Sequence, residues 1–532
     1  MDFYHDKTRG LLIYPRSDAI RQRIPESREI NGTMVAVPAT LQNAQTLRWM
    51  GYAIAPLITD ENYDWPRPPG ITPYESQKIA ANFMVAHPRC FNLSDMGVGK
   101  TNAILWGSDW LMRQHSPSTF RALIVCPLSI MERVWADAIF KNFLGRRTFA
   151  ILYGTAEQRL RALDQNVDYF LVNFDGVGVG AHTRKRFELD GFSRALAERK
   201  DIRLAIVDEA SAYKDSRTKR HRIARLVIGC RDYLWMATGT PTPNAPTDAY
   251  GLAKMVNNAY GKSFTTFQAE TMYKATQFKW MPLKHGYDLA RKLLQPAIRF
   301  DISEVWDAPE LTTQVREVPL TTQQTKLMAD LKRDLQVTIK TGQPISAINE
   351  ASARSKFMQI SAGAVYDEAH TAHVVDAEPR FSEIETVINE TTRKIVIFVG
   401  LTSIVNLLYK RLSKKWECAI LNGDVSAKER ADVIRRFGVD EDRLRIVICD
   451  PQATAHGINE FVTADTCVWF TPTDKTELYL QGIKRICRPG QKYPMTVVQI
   501  VSNKLEQEIF HRLERNETLQ GALLETIRKG EL

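Results

Sequence analysis

Short apolar runs recur along this chain in two sets, and they constrain the fold more than any other feature. The first set is ALIVCP (122–127), YFLVNF (169–174), LAIVDEA (204–210) and YLWMATGT (233–240). The second is KIVIFVG (394–400), CAILNG (418–423), RIVICD (445–450), TCVWFT (466–471) and MTVVQIV (495–501). A strand with one wet face alternates apolar and polar residues, whereas a parallel strand roofed by crossover helices is apolar throughout. Helical sequence separates these runs, so the pattern predicts an α/β chain with two parallel-sheet lobes. Between about 250 and 300 the strands give way to helical, aromatic-rich sequence.

A chain of 532 residues has room for more than two lobes. Residues 1–64 read as a small α/β unit. It contains a strand LLIYP (11–15), a helix N-capped by Ser17, a strand MVAVP (34–38) and a helix opened by Thr40. DWPRPPG (64–70) has the composition of a linker. No solenoid repeat or low-complexity tract interrupts the chain.

Lysine and arginine exceed acids by 71 to 61, a formal charge of +10, which suits a polyanion such as nucleic acid or an anionic membrane surface. No apolar run approaches the ~18 residues of a membrane span, and the start MDFYHDKTRG has no signal-peptide core. The seven cysteines form no CxxC pair, which suits buried thiols in a reducing cytoplasm, and no Cys/His cluster has the spacing of a structural zinc site.

The decisive segment is SDMGVGKT (94–101), between two helical stretches. Gly97 and Gly99 permit a tight turn in which the backbone N–H groups of Met96, Gly97, Val98 and Gly99 approach phosphate oxygens. Lys100 reaches the β- and γ-phosphates and Thr101 places its hydroxyl on Mg²⁺. The full phosphate-loop pattern has glycine where this chain has Ser94. Downstream, Asp208 and Glu209 end an apolar strand. The first carboxylate suits Mg²⁺, and the second can orient or activate a water against the γ-phosphate. TGTPTPN (238–244), containing Thr238, Gly239 and Thr240, suits a relay between lobes. In QGIKRICRPGQ (481–491), Arg485 and Arg488 are spaced i, i+3, near one helical face. Arginine suits the charge on a transferring phosphoryl group because its guanidinium does not lose its proton.

In this order, these motifs resemble the SWI/SNF-type ATPases of helicase superfamily 2. ALIVCPLSIMERVW (122–135), NFDGV (173–177), DEASAYKD (208–215) and TGTPTPN carry the likeness in the first lobe. LLQPAIRFDISEVWDAPEL (293–311) and VPLTTQQTKLMADL (318–331) lead into the second. KIVIFVG, LNGDVSAKERADVIRRF (421–437) and ATAHGINEFVTADTCVWF (453–470) complete it. The resemblance implies two RecA-like lobes, at 65–305 and 306–532, with helical insertions at about 250–300 and 320–375 and a small N-terminal α/β accessory domain at 1–64.

It further implies a DNA-dependent ATPase using ATP and Mg²⁺. Lys100 and Thr101 would be nucleotide and Mg²⁺ ligands, Asp208 the Mg²⁺ carboxylate and Glu209 the water-orienting base. Arg485 and Arg488 would be arginine fingers and Gln481 the polar lead of their motif. Gln77, in PYESQ, would read adenine, and Gly457 and Asn459 would sense nucleotide and strand. Ser211 replaces the usual histidine, and His456 stands where small residues are common. Both departures bear on coupling.

DNA is the expected partner, duplex or branched. Arg222 and Arg225 lie outside an apolar stripe of Ile223, Leu226 and Val227, and Arg184 and Lys185 belong to a second basic cluster; either could hold phosphate. With no further module visible, a compact bacterial or phage-encoded enzyme is expected, acting in the bacterial or infected-host cytoplasm. The expected work is branched-DNA remodelling by fork regression, branch migration or annealing. Stripping DNA-bound proteins such as RNA polymerase is a second reading. A noncatalytic DNA-binding scaffold is a third, and the intact motifs oppose it.

Overall fold

The computed structural model describes residues 3–6, 8–116, 118–183, 187–275, 280–340, 347–367, 371–454, 458–473 and 475–515. It divides into two units, Met1–Val305 and Trp306–Leu532.

The first unit is built on a seven-stranded sheet in which every pairing is parallel. Its order is Ala297–Ile298, Arg89–Asn92, Tyr233–Ala237, Ile202–Asp208, Arg121–Cys126, Tyr169–Asn173 and Phe149–Ile151. Side chains alternate faces along a strand, so one face gathers Leu123, Val125, Phe170, Val172, Ala205 and Val207. The other gathers Ala122, Ile124, Cys126, Tyr169, Leu171, Leu204 and Ile206. Helices Lys219–Val227 and Ala249–Val256 pack on the first face, and Glu75–Ala86 and Lys100–Arg113 on the second. Both faces are dry, which is why the sequence shows no alternation.

At the N-terminus lies a four-stranded antiparallel sheet ordered Tyr4–Asp6, Leu11–Pro15, Met34–Pro38, Arg28–Ile30. Ser17 and Thr40 cap helices Asp18–Arg23 and Leu41–Trp49, as expected. The two outer strands are too short and polar to have been legible. Gln45, on the second helix, donates from Nε2 to the Val85 carbonyl at 2.8 Å and to the Tyr233 hydroxyl at 3.2 Å.

The proline-rich stretch 64–70 is not a free tether. Trp65 is buried edge-on against Trp106, with ring centroids 5.4 Å apart, and Trp106 donates to the Pro66 carbonyl at 2.7 Å. Asp64 pairs with Arg113 at 2.7 Å and Arg146 at 3.0 Å. Proline and glycine shape the path here, while the tryptophan supplies apolar area that only a packed segment can bury.

The second unit carries a six-stranded parallel sheet. Its order is Leu311–Glu317, Met495–Val501, Ala464–Trp469, Lys394–Phe398, Ile446–Cys449 and Cys418–Leu421. Val396, Phe398, Val447 and Trp469 face one cluster, and Ile395, Ile397, Ile448 and Val468 the other. Helices Thr322–Lys340 and Ala347–Ala362 occupy the insertion. These are two RecA-like lobes with an N-terminal antiparallel α/β region. Among the described residues, no helix is long and apolar enough to cross a membrane.

Candidate nucleotide site

The strand Arg89–Asn92 runs into the glycine loop, and helix Lys100–Arg113 leaves it. Gly97 and Gly99 have φ of 92° and 81°, in the left-handed region that glycine adopts at least cost. Gly99 is constrained twice, because a Cβ built there would lie 1.9 Å from Gln77 Nε2. The Lys100 ammonium donates to the carbonyls of Ser94, at 2.7 Å, and Asp95, at 2.8 Å, tying the helix start to the loop. Ser94, at the variant position, is buried and integrated: its N–H donates to Asn92 Oδ1 at 3.2 Å and its hydroxyl accepts the Phe300 N–H at 3.1 Å. Its φ is not positive, so no glycine is required there.

Gln77 is buried in the first turn of Glu75–Ala86. Its Oε1 accepts the Tyr74 N–H at 3.0 Å, and its Nε2 donates to the Gly99 carbonyl at 3.4 Å. The residue expected to read the base thus rests directly on the phosphate loop. Met96 meets the TGT segment, since a Cβ at Gly239 would lie 3.3 Å from Met96 Cγ. Thr238 donates its N–H to the Asn92 carbonyl at 3.1 Å, and Thr240 donates its N–H to Thr238 Oγ1 at 3.2 Å.

Asp208 closes the central strand Ile202–Asp208. One carboxylate oxygen accepts the Glu209 N–H at 3.0 Å and the other accepts the Trp135 ring N–H at 3.0 Å. Burial, reinforced by the Glu209 charge, pushes its acid up to about 6, and the Lys100 ammonium opposes that shift. Glu209 has φ of 53°, a left-handed conformation costing about 1–3 kcal/mol in a non-glycine residue and typical of functional sites. The short turn Ala210–Tyr213 follows, with the Ser211 carbonyl accepting the Lys214 N–H at 3.1 Å. The loop, Gln77, the acid pair and the TGT segment therefore belong to one lobe and share the C-terminal end of its sheet. Trp135 was not singled out by its sequence, in which it is one apolar residue of SIMERVW.

In the second lobe, Gln481 is buried on helix Thr476–Ile486 and donates to Glu477 at 3.1 Å. A Cβ at Gly482 would lie 2.7 Å from the Trp469 ring, so this helix sits close against its strand. Arg485 lies in the last helical turn, but Arg488 does not share its helical face. The helix ends at Ile486 and Cys487 leaves it with ψ of 84°. Pro489 bars the helix from running on through Arg488, because the residue preceding a proline disfavours the α region. Arg488 instead donates to Asn459 Oδ1 at 2.6 Å and, more weakly, to the Ile458 carbonyl at 3.4 Å.

Of the basic candidates, Arg222 and Arg225 are exposed on Lys219–Val227. The apolar stripe is Ile223, Ala224 and Val227; Leu226, expected within it, is 45% exposed. Arg184, Lys185 and Gly457 lie outside the described residues.

Fold and site together define a two-lobed phosphate-loop ATPase. The SNF2-related domain model matches residues 77–362 and the helicase conserved C-terminal domain model residues 380–490. The chain belongs to the SNF2-related family of superfamily 2 helicases and is a DNA-dependent ATPase. Among solved structures it is similar to a Sulfolobus solfataricus SWI2/SNF2 ATPase core in complex with dsDNA. The two are 20% identical, with 88% of this chain and 95% of that one covered and a TM-score of 0.40. The Sulfolobus solfataricus SWI2/SNF2 ATPase core domain is 19% identical, with 88% and 93% covered and a TM-score of 0.37. No curated protein matches the chain.

Proposed function

We propose that this ATPase is a translocase that remodels branched DNA, by fork regression, branch migration or annealing, in replication, recombination or repair. The observation carrying the reading is the N-terminal antiparallel domain, secured to the first lobe through Gln45. A motor pulling one arm of a junction needs a second contact to hold the others, and a fixed accessory domain supplies one at high effective concentration.

In this reading the glycine loop and Lys100 bind the phosphates, and Gln77 reads the base. Thr101 and Asp208 are hard oxygen donors of the kind Mg²⁺ takes. Mg²⁺ sites in such enzymes use one or two side chains plus nucleotide phosphates, not an all-protein cage. Among the described residues no cluster of three or more His, Cys, Asp or Glu forms such a cage. When bound, the cation would neutralise charge on the phosphates. Glu209 orients the attacking water. Arg485 and Arg488 act as the fingers, and the hydrogen bond between Arg488 and Asn459 gives that finger a route to the strand-sensing loop.

The test compares ATP turnover on single-stranded, duplex, forked and four-way DNA, with RNA as control, in the full chain and in one beginning at Ala55. That start leaves Ile58, Tyr63 and Trp65 in the lobe core. The truncated protein should hydrolyse ATP on DNA yet regress fewer forks per ATP. Equal regression per ATP by both proteins would sink the bracing role.

A further inference from the structure

The strand Ile202–Asp208 pairs in parallel with Arg121–Cys126, so their C-terminal ends are neighbours. The chain leaving Cys126 passes through a helical turn, Leu128–Ile130, and then a π-helical stretch, Met131–Ala136, before helix Asp137–Phe143 begins. π-Helical turns are rare and concentrate at functional sites, because the wider turn changes which side chain faces a given neighbour. Here the side chain delivered is Trp135, which is fully buried.

A buried indole N–H usually finds an acceptor, although those of the buried Trp235 and Trp469 have none among the described residues. Trp106, in the same lobe, takes the backbone carbonyl of Pro66 at 2.7 Å. Trp135 instead takes a carboxylate oxygen of Asp208 at 3.0 Å, while the other oxygen accepts the Glu209 N–H at 3.0 Å. An ionised carboxylate offers about four lone-pair positions. Two donors, one on each oxygen, fix the rotation of the group and leave lone pairs for another partner. A group that orients a metal-binding side chain in this way typically changes metal affinity by roughly 10–100-fold.

We infer that Trp135 is a positioning residue for the Mg²⁺ carboxylate: its indole N–H holds Asp208 in the orientation in which that side chain receives the cation of the Mg²⁺–nucleotide complex. The inference rests on Asp208 being the Mg²⁺ ligand. Trp135 acts through Asp208 and touches neither nucleotide nor water in this role.

The decisive variant is Trp135→Phe, which keeps an aromatic ring and removes the donor. Binding of a fluorescent ADP analogue is titrated in EDTA and against rising Mg²⁺. Trp135→Phe should bind the Mg²⁺-free nucleotide within about twofold of wild type but need roughly tenfold more Mg²⁺ for half-maximal enhancement. Trp135→Tyr, which restores a donor, should move the midpoint back toward wild type. In an Asp208→Asn background, Trp135→Phe should add little, because the indole acts only through the Mg²⁺-binding carboxylate that the first change removes. An unchanged Mg²⁺ midpoint in folded Trp135→Phe, or equal loss with and without Mg²⁺, overturns the inference. If Asp208→Asn itself leaves the midpoint unchanged, the ligand assignment fails first.

A measurement that keeps Trp135 in place covers the case in which Trp135→Phe does not fold. In ¹⁵N-tryptophan protein, one indole N–H resonance should move when Mg²⁺ is added to the nucleotide complex and be displaced in Asp208→Asn. If no resonance behaves this way, the inference is wrong.

Discussion

Gly99→Ala tests the phosphate loop most sharply, because the structure separates two costs. The first is backbone strain: at φ of 81° an L-residue costs about 1–2 kcal/mol. The second is a collision, since the new Cβ would lie 1.9 Å from Gln77 Nε2 and 3.0 Å from its Cδ. An exposed glutamine would swing aside, but Gln77 is buried and its Oε1 holds the Tyr74 N–H at 3.0 Å. Displacing it forfeits that bond and the one to the Gly99 carbonyl, each worth about 0.5–1.5 kcal/mol net. The sum is about 2–5 kcal/mol, or roughly 30- to several-thousand-fold in nucleotide affinity if binding requires the native loop.

Titration with a fluorescent ADP analogue should show that loss. Gln77→Ala removes the obstacle but not the strain. In that background Gly99→Ala should cost only about 1–2 kcal/mol, leaving a coupling of about 1 kcal/mol or more between the two positions. Affinity within twofold of wild type for Gly99→Ala, or strictly additive effects, would refute the account of why glycine occupies this position.

Glu209→Gln should still bind ATP and lower turnover by roughly 10²-fold or more, through loss of the water-orienting carboxylate; a wild-type rate on DNA would remove that role. Arg485→Ala and Arg488→Ala should each lower turnover by roughly 10³-fold with little change in nucleotide affinity, and a variant that loses affinity but keeps its turnover number would place that arginine elsewhere. Burial holds the His221 imidazole below its ordinary 6.5, and the hydrogen bond to the Gly251 carbonyl only partly opposes this. The unfolded chain then binds the extra proton first, so stability is lost as pH falls below about 6.5, by at most about 1.4 kcal/mol per pH unit for one proton. Urea unfolding between pH 7.5 and 5 should show a shallower acid-side loss in His221→Gln, and identical slopes would contradict the assignment.

The sheets were legible in the sequence because their strands are buried on both faces and had to be apolar along their whole length. Phe149–Ile151 and Ala297–Ile298 are too short to be legible, Arg89–Asn92 has only Cys90 and Phe91 between polar ends, and the threonines, glutamine and charges of Leu311–Glu317 suit a sheet edge. The glycine loop and the acid pair were legible for a different reason: local spacing alone prescribes their backbone and chemistry. Interactions between distant segments depend on packing. Trp135 and Asp208 are 73 residues apart, and the parallel pairing of Arg121–Cys126 with Ile202–Asp208 and the π-helical stretch after the first of them bring indole to carboxylate. Trp65, in a segment with the composition of a linker, joins the lobe core through Trp106. Arg488 leaves the helical face that its spacing suggested because the helix ends at Ile486, ahead of Pro489, and its guanidinium reaches Asn459. Spacing along the chain prescribes local turns and strands, whereas the partner of a buried donor is decided by which strands lie side by side.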